Sequence, residues 1–165
     1  LSYFTYEPLH HLFATSPFEL YRIDSSTIHG GSMQIYARRR KQLIQEFVEN
    51  ARNIRSELRS YLIGKKSEGK KIVAFGAAAK GMVLLNYCGL DASIIDYIAD
   101  GTSYKQGKYA PGVGIPIVPE EFLLESPPDI VLILAWNWKE EIVEKLKGRG
   151  YKFVIPIPRM EVLCV

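Results

Sequence analysis

Apolar residues gather along this chain in short runs separated by polar, glycine-rich breaks. Four of them, Ile72 to Phe75, run straight into Gly76, three alanines, Lys80 and Gly81. An apolar run of that length, bounded by glycine, predicts a fully buried strand. The residues that follow, through Cys88, are good helix formers, and Gly89 suits a carboxyl-end cap. The same alternation continues downstream. Ile94–Ala99, Ile115–Val118, Ile130–Ala135 and Phe153–Ile157 read as strands. Pro119–Leu124 and Lys139–Lys147 read as helices between them. The run IVLILA is almost purely apolar, so its strand is expected at the centre. Strands separated by helices imply parallel pairing with right-handed crossovers. The fold class predicted is α/β: a Rossmann-like doubly wound parallel sheet of order 3-2-1-4-5.

The first part of the chain follows other periods. Leu9–Ala14 predicts a short helix, with Pro8 at a permitted first-turn position. Phe18–Asp24 and Ser32–Arg38 predict two strands, joined by the turn Ser25–Gly31. In the second strand Met33, Ile35 and Ala37 share one face, and Ser32, Gln34 and Tyr36 the other. An isolated hairpin is marginal in water, so this one is expected to lean on other structure. Lys41–Leu62 carries an apolar stripe, Leu43, Phe47, Ala51, Ile54, Leu58 and Tyr61, at helical spacing. Gln45, Glu49, Arg52 and Arg59 lie opposite. A polar loop, Gly64–Gly69, is expected to end that helix. Three parts follow: a hairpin region over 1–40, a connecting helix and loop over 41–69, and the α/β domain over 70–165.

Composition narrows the class. The 165 residues are 47% hydrophobic, enough for a real core, and carry a formal charge of +3. That charge is too mild and too scattered to suggest nucleic acid. The basic run Arg38–Lys41 reads as a solvated face. Cys88 and Cys164 have no metal spacing and imply no disulfide framework, which fits a reducing cytoplasm. No apolar run reaches membrane length, so no membrane partner is expected, and a monomer is favoured. The chain opens at Leu1 in mid-pattern, without methionine, and reads as a fragment of something longer.

Candidate chemistry follows from the sheet. Ligands of doubly wound sheets sit outside the carboxyl ends of the strands, at the switch in strand order. Gly76, Ala77 and Ala78 lie at the first such end. The strand, glycine turn and helix put free N–H groups and Lys80 where a phosphate can dock. The bland alternative is close helix–strand packing. Asp100 ends the second strand, near the position of a ribose-binding carboxylate in dinucleotide folds. It equally suits a strand-end turn. Lys105, Lys108, Tyr109 and Gly112 occupy a long loop beside it, suited to a diphosphate or to solubility alone. Trp136 and Asn137, with Trp138, follow the strongest strand. They are suited to stacking on a base or sugar, or to a helix cap with both rings packed. His29, in the string HGGS with Gly30, Gly31 and Ser32, is the candidate general base; a solvated loop histidine is the plain alternative. No metal ligand set is discernible.

Taken together, SYFTYEPLHHLF, HGGS, FGAAAKGMVLLNYCG, IADGTSYKQGKYAPGVGIPI, ILAWNWKEEIVEKL and VIPIPRMEV resemble S-adenosylmethionine-dependent sugar C-methyltransferases. Those enzymes methylate a carbon of nucleotide-linked 4-keto deoxysugars. The resemblance runs over nearly the whole chain. It implies that residues 1–40 close a methyltransferase domain and that 70–165 form a C-terminal domain holding the sugar nucleotide. It implies S-adenosylmethionine bound by a missing upstream half, and zinc as possible in a missing N-terminal region. His29 matches the histidine proposed as base for the sugar proton, and Ile28 stands where some members carry glutamate. The resemblance implies that Gly76, Ala77, Ala78, Lys80, Asp100, Lys105, Lys108, Tyr109 and Gly112 face the nucleotide diphosphate and ribose, and that Gly30, Gly31 and Ser32 shape the sugar's pocket or donate hydrogen bonds; Trp136 and Asn137 join the substrate-binding candidates from their place at the strand end. The fragment alone is then expected to be inactive. The competing expectations are a non-catalytic Rossmann-like module for a nucleotide or coenzyme A, and a domain that only braces its neighbour.

Overall fold

The structure, a computed structural model, describes residues 5–27 and 31–164. It divides into two compact units, 1–51 and 52–165.

In the first unit, α1 (Tyr6–Ala14) precedes two antiparallel strands, β1 (Phe18–Ser26) and β2 (Ser32–Arg39). Pairing runs from Phe18↔Arg39 to Ser26↔Ser32, with an irregularity between Leu20 and Arg22. Arg40 joins the hairpin to the helix: its Nη2 donates to the carbonyls of Phe13 (3.0 Å) and Ala14 (3.1 Å). Both carbonyls lie in the last turn of α1, where i+4 amides run out and a cation is favoured. The charged pair Arg38 to Glu19, at 2.6 Å, bridges the two exposed strands, and Arg22 pairs with Asp24 along β1 at 2.7 Å.

Helix α2 (Lys41–Ser67) runs from this unit into the next. It passes through the expected loop at Gly64–Gly69. A glycine ends a helix when it takes left-handed φ. Gly69 does so, at φ 77°, and Gly64 does not. Gly69 N–H donates to Lys66 C=O (3.0 Å) and Lys70 N–H to Lys65 C=O (3.1 Å), closing the end. Among the described residues, burial along α2 is deepest in its carboxyl half. Leu58 and Leu62 are fully buried, whereas Phe47 is 73% exposed.

The second unit is a six-stranded sheet of order β5-β4-β3-β6-β7-β8. Its strands are β3 (Ile72–Phe75), β4 (Ile98–Ala99), β5 (Ile117–Val118), β6 (Ile130–Ile133), β7 (Lys152–Ile155) and β8 (Glu161–Cys164). The first five pair in parallel; β8 pairs antiparallel with β7. Helices α3 (Ala79–Cys88), α4 (Phe122–Glu125) and α5 (Lys139–Leu146) connect them. Alternation along β3 sorts two cores. Ile72 and Ala74 pack with Leu58 and Leu62 of α2 and with Leu84, Leu85 and Cys88 of α3. Val73 and Phe75 join Leu123 of α4 and Ile142 and Leu146 of α5. Both faces are therefore covered, which explains why β3 and β6 are apolar at every position.

The sheet also departs from the sequence expectation, and β5 keeps only Ile117–Val118 of the expected Ile115–Val118. Of Ile94–Ala99, only Ile98–Ala99 forms the strand. Ile94 and Ile95 donate instead to Asp91 C=O, both at 3.0 Å, in a turn that follows α3. Strand β8 was not anticipated, because its four residues are all exposed and too few to display a period. The opposite edge is closed locally: Gly107 N–H donates to Ile117 C=O (2.9 Å), and Ile117 N–H to Lys108 C=O (2.8 Å).

Candidate ligand-binding site

Strand β3 delivers the chain to Gly76, which sits at φ 84° and donates to Ala99 C=O at 2.8 Å. Space is the second constraint. A Cβ on Gly76 would lie 2.8 Å from Cβ of Ala135, and one on Gly81 would lie 2.7 Å from Cβ of Leu134. Both glycines therefore let the β3–α3 turn press against the end of β6. Close packing accounts for them without any ligand. Ala78 caps α3 in extended conformation and offers no side-chain bond, so no cap side chain occupies the first-turn amides.

Asp100 follows β4 and is 6% exposed. Its Oδ2 accepts from Ala77 N–H (2.6 Å) and Lys105 Nζ (3.3 Å), and its Oδ1 accepts from Thr102 N–H (2.8 Å). Burial by itself disfavours the charged form. The hydrogen bonds from Thr102, Ala77 and Lys105 outweigh it and hold the carboxyl below its ordinary value. Lys105 Nζ also donates to Ala77 C=O (3.0 Å), and Gln106 Nε2 to Asp100 C=O (2.9 Å). The carboxylate thus faces inward, onto its own chain.

The loop that follows is built on α3. Asn86 Nδ2 donates to Pro111 C=O (3.0 Å) and to Met82 C=O (2.8 Å). Gly112, at φ 80°, lies against the Asn86 side chain too closely for any Cβ. Ala110, Val113 and Ile115 are buried beneath, while Tyr109 is 70% exposed. Lys108 Nζ lies 5.5 Å from the Tyr104 ring centre. At the end of β6, half-buried Trp136 packs against both cores, and Lys80 Nζ lies 4.4 Å over its ring. Asn137 is exposed and does not cap α5, whose N-cap is Trp138. Trp138 itself is 62% exposed, so the second ring is not packed.

One edge of the sheet therefore gathers Gly76, Ala77, Ala78, Lys80, Asp100, Lys105, Trp136 and Asn137, with Lys108, Tyr109 and Gly112 on the loop built over α3. Gly31 and Ser32 belong to the other unit, where Ser32 pairs with Ser26. His29 and Gly30 lie outside the described residues. Sequence reasoning missed Thr102, Gln106 and Asn86. Thr102 and Gln106 each stand beside a glycine, whereas Asn86, inside α3, carries no local signal. The edge offers N–H donors, cations and aromatic rings, which is equipment for binding an anion with a ring attached. Among the described residues no three His, Cys, Asp or Glu side chains gather as a metal site. No helix among them is long and apolar enough to cross a membrane.

Comparison with known proteins adds two findings. Residues 39–158 match the family described as "C-methyltransferase C-terminal domain". The chain is also 31% identical, over an alignment of length 189, to a C-methyltransferase, NovU, of Streptomyces niveus. That alignment takes in 98% of this chain and 45% of the relative, so the chain spans less than half the relative's length.

Proposed function

The chain belongs to the C-methyltransferase C-terminal domain family, and from that premise we propose that it is the C-terminal part of an S-adenosylmethionine-dependent C-methyltransferase acting on a nucleotide-linked keto-deoxysugar. This part holds the sugar nucleotide on a Rossmann-like domain and supplies His29 as base. The observation that carries the reading is the uncapped α3 N-terminus with Lys80 lying over the Trp136 ring, and the loop after Asp100 that carries Lys108 against the exposed Tyr104. The diphosphate lies toward Gly76–Gly81 and Lys80. Loop residues 105–112, Trp136 and Asn137 flank the nucleoside.

S-adenosylmethionine supplies an electrophilic methyl group when bound. The end of β4 does not fit it: a cofactor ribose calls for a free carboxylate, and Asp100 is committed to Ala77, Thr102 and Lys105. We therefore assign the cofactor to the upstream half. The substrate's keto group acidifies the neighbouring C–H bond. His29 takes that proton, leaving an enolate whose carbon is the nucleophile. Gly30, Gly31 and Ser32, which follow His29 in sequence, are the candidate substrate contacts beside the base. Holding the sugar by its distant nucleotide fixes the reacting carbon, which is how a binding domain contributes to rate.

The test uses the full-length protein. His29→Ala is expected to lower turnover by roughly a hundred- to ten-thousand-fold. It is also expected to stop exchange of the sugar's acidic proton into heavy water, with the melting temperature unchanged. Exchange isolates proton removal from methyl transfer. Wild-type exchange in the variant would remove His29 from the mechanism.

A further inference from the structure

We propose that Asp100 and Lys105 are positioning residues, a clamp that holds the two peptide groups flanking the Ala77 Cα and so sets the aim of the α3 first-turn amides. Asp100 Oδ2 takes the Ala77 N–H at 2.6 Å, and Lys105 Nζ gives a hydrogen bond to the Ala77 C=O at 3.0 Å. The two side chains close the ring at 3.3 Å. A buried charge is stable only when it is paired and hydrogen-bonded, and both conditions are met within six residues of chain. Ala77 is two residues before α3 begins. Fixing the two peptide planes that meet at its Cα fixes the direction in which the helix starts. Thr102 N–H and Gln106 Nε2 tie the root of the 102–116 loop to the same residue. One carboxylate therefore holds the two segments between which the ligand is read.

The clamp also bears on ligand class. A carboxylate at the end of the second strand suits a ribose diol. With Asp100 turned inward and neutralised by Lys105, the edge presents donors and leaves that acceptor out. It therefore selects a diphosphate through N–H groups and cations, in preference to a nucleoside held by its ribose hydroxyls. This part rests on the proposed sugar-nucleotide reading; the clamp itself does not.

The experiment compares Lys105→Met, Lys105→Arg and Asp100→Asn with the native full-length protein, using pyrophosphate as probe and amide hydrogen exchange as the structural readout. Lys105→Met is expected to speed exchange at Ala77 and across 103–116 by about tenfold or more, the size of a charged hydrogen bond. Exchange in β7 and α5 should stay as in the native protein. Its pyrophosphate dissociation constant should rise at least about tenfold, and Lys105→Arg should recover most of both effects. Unchanged local exchange in Lys105→Met overturns the clamp, as does an acceleration spread evenly over the sheet. If Asp100→Asn fails to fold, the two Lys105 variants carry the decision. Local acceleration in a protein whose native form does not bind pyrophosphate upholds the clamp and removes the diphosphate reading.

Discussion

Replacing Gly81 by alanine and, separately, Gly64 by alanine asks one chemical question at two places. Both glycines are helical, in α3 and α2. In a helix interior alanine is favoured over glycine by about 0.5–1 kcal/mol, because the unfolded glycine has more freedom to lose. At Gly64 an added Cβ meets nothing within 4 Å, so that gain should appear in full. At Gly81 the same Cβ would stand 2.7 Å from Cβ of Leu134 and 3.3 Å from its Cγ and Cδ1. The nearest atom is attached to the backbone of the chain leaving β6, so no rotamer change relieves it. Overpacking of this kind costs about 1–3 kcal/mol. Subtracting the helical gain leaves Gly81→Ala destabilised by up to about 2.5 kcal/mol. At about 4 °C per kcal/mol for a unit of this size, its melting temperature should fall by up to roughly 10 °C. Gly64→Ala should rise by roughly 2–4 °C on the same scale. Thermal and urea unfolding followed by circular dichroism measure both. A Gly81→Ala protein as stable as Gly64→Ala would refute the close approach of α3 to the end of β6, and with it the packing account of both glycines in the β3–α3 turn.

Other outcomes follow from charges and caps. Burial pushes the Tyr97 phenol up to about 12, with Tyr151 and Asp96 adding to it. The unfolded chain then loses that proton first, so stability should decline between about pH 10 and 12, by up to roughly 2–3 kcal/mol. Urea titrations should find that slope reduced in Tyr97→Phe; an unchanged slope assigns it elsewhere. Arg59 donates to the carbonyls of Cys88 (3.0 Å) and Gly89 at the end of α3, so Arg59→Ala should cost about 1–2 kcal/mol; a cost near zero would make this cap a surface contact. The backbone N–H of Lys71 and the Lys70 ammonium lower the Asp129 carboxyl below its ordinary value. Its contribution is present above the ordinary carboxylate range and lost as pH falls through the folded value, and an NMR titration of Asp129 with an ordinary midpoint would exclude it. Lys80→Glu should weaken nucleoside diphosphate binding to the full-length protein by about tenfold or more, because an anion replaces a cation at a helix N-terminus. Calorimetry giving the native affinity would leave the turn with packing alone.

The strands IVAF and IVLI were legible because each is buried on both faces and therefore apolar at every position. Strand β8 is exposed throughout, and edge pairing leaves no mark in four residues. Gly64 and Gly69 look alike in sequence; only the second takes the left-handed φ that ends a helix. Asp100 shows the same limit at the site. A carboxylate at a strand end has one sequence signature, whether it faces a ribose or the N–H of Ala77. Lys105, five residues on, was read as a ligand cation because nothing local marks the carbonyl it meets. Trp136 was read for its ring, and the Lys80 ammonium lying over that ring depends on a turn from elsewhere in the chain.

The central pairing of β3 with β6 joins Ile72 to Ile130 and Phe75 to Ile133, across everything that forms α3, β4, β5 and α4. A chain growing from its N-terminus makes β3, β4 and β5 before β6 exists. During that interval β3 has β4 on one side and an open ladder of four apolar residues on the other. Helices α2 and α3 are already available to cover one face, whereas Ile142 and Leu146, which help to cover the other, have yet to be made. A half-sheet with an open apolar edge is the species most prone to pair with a neighbour of its kind. Synthesis that stalls ahead of Ile130 should therefore yield aggregate, and release of the chain past Ile155 should yield the closed sheet.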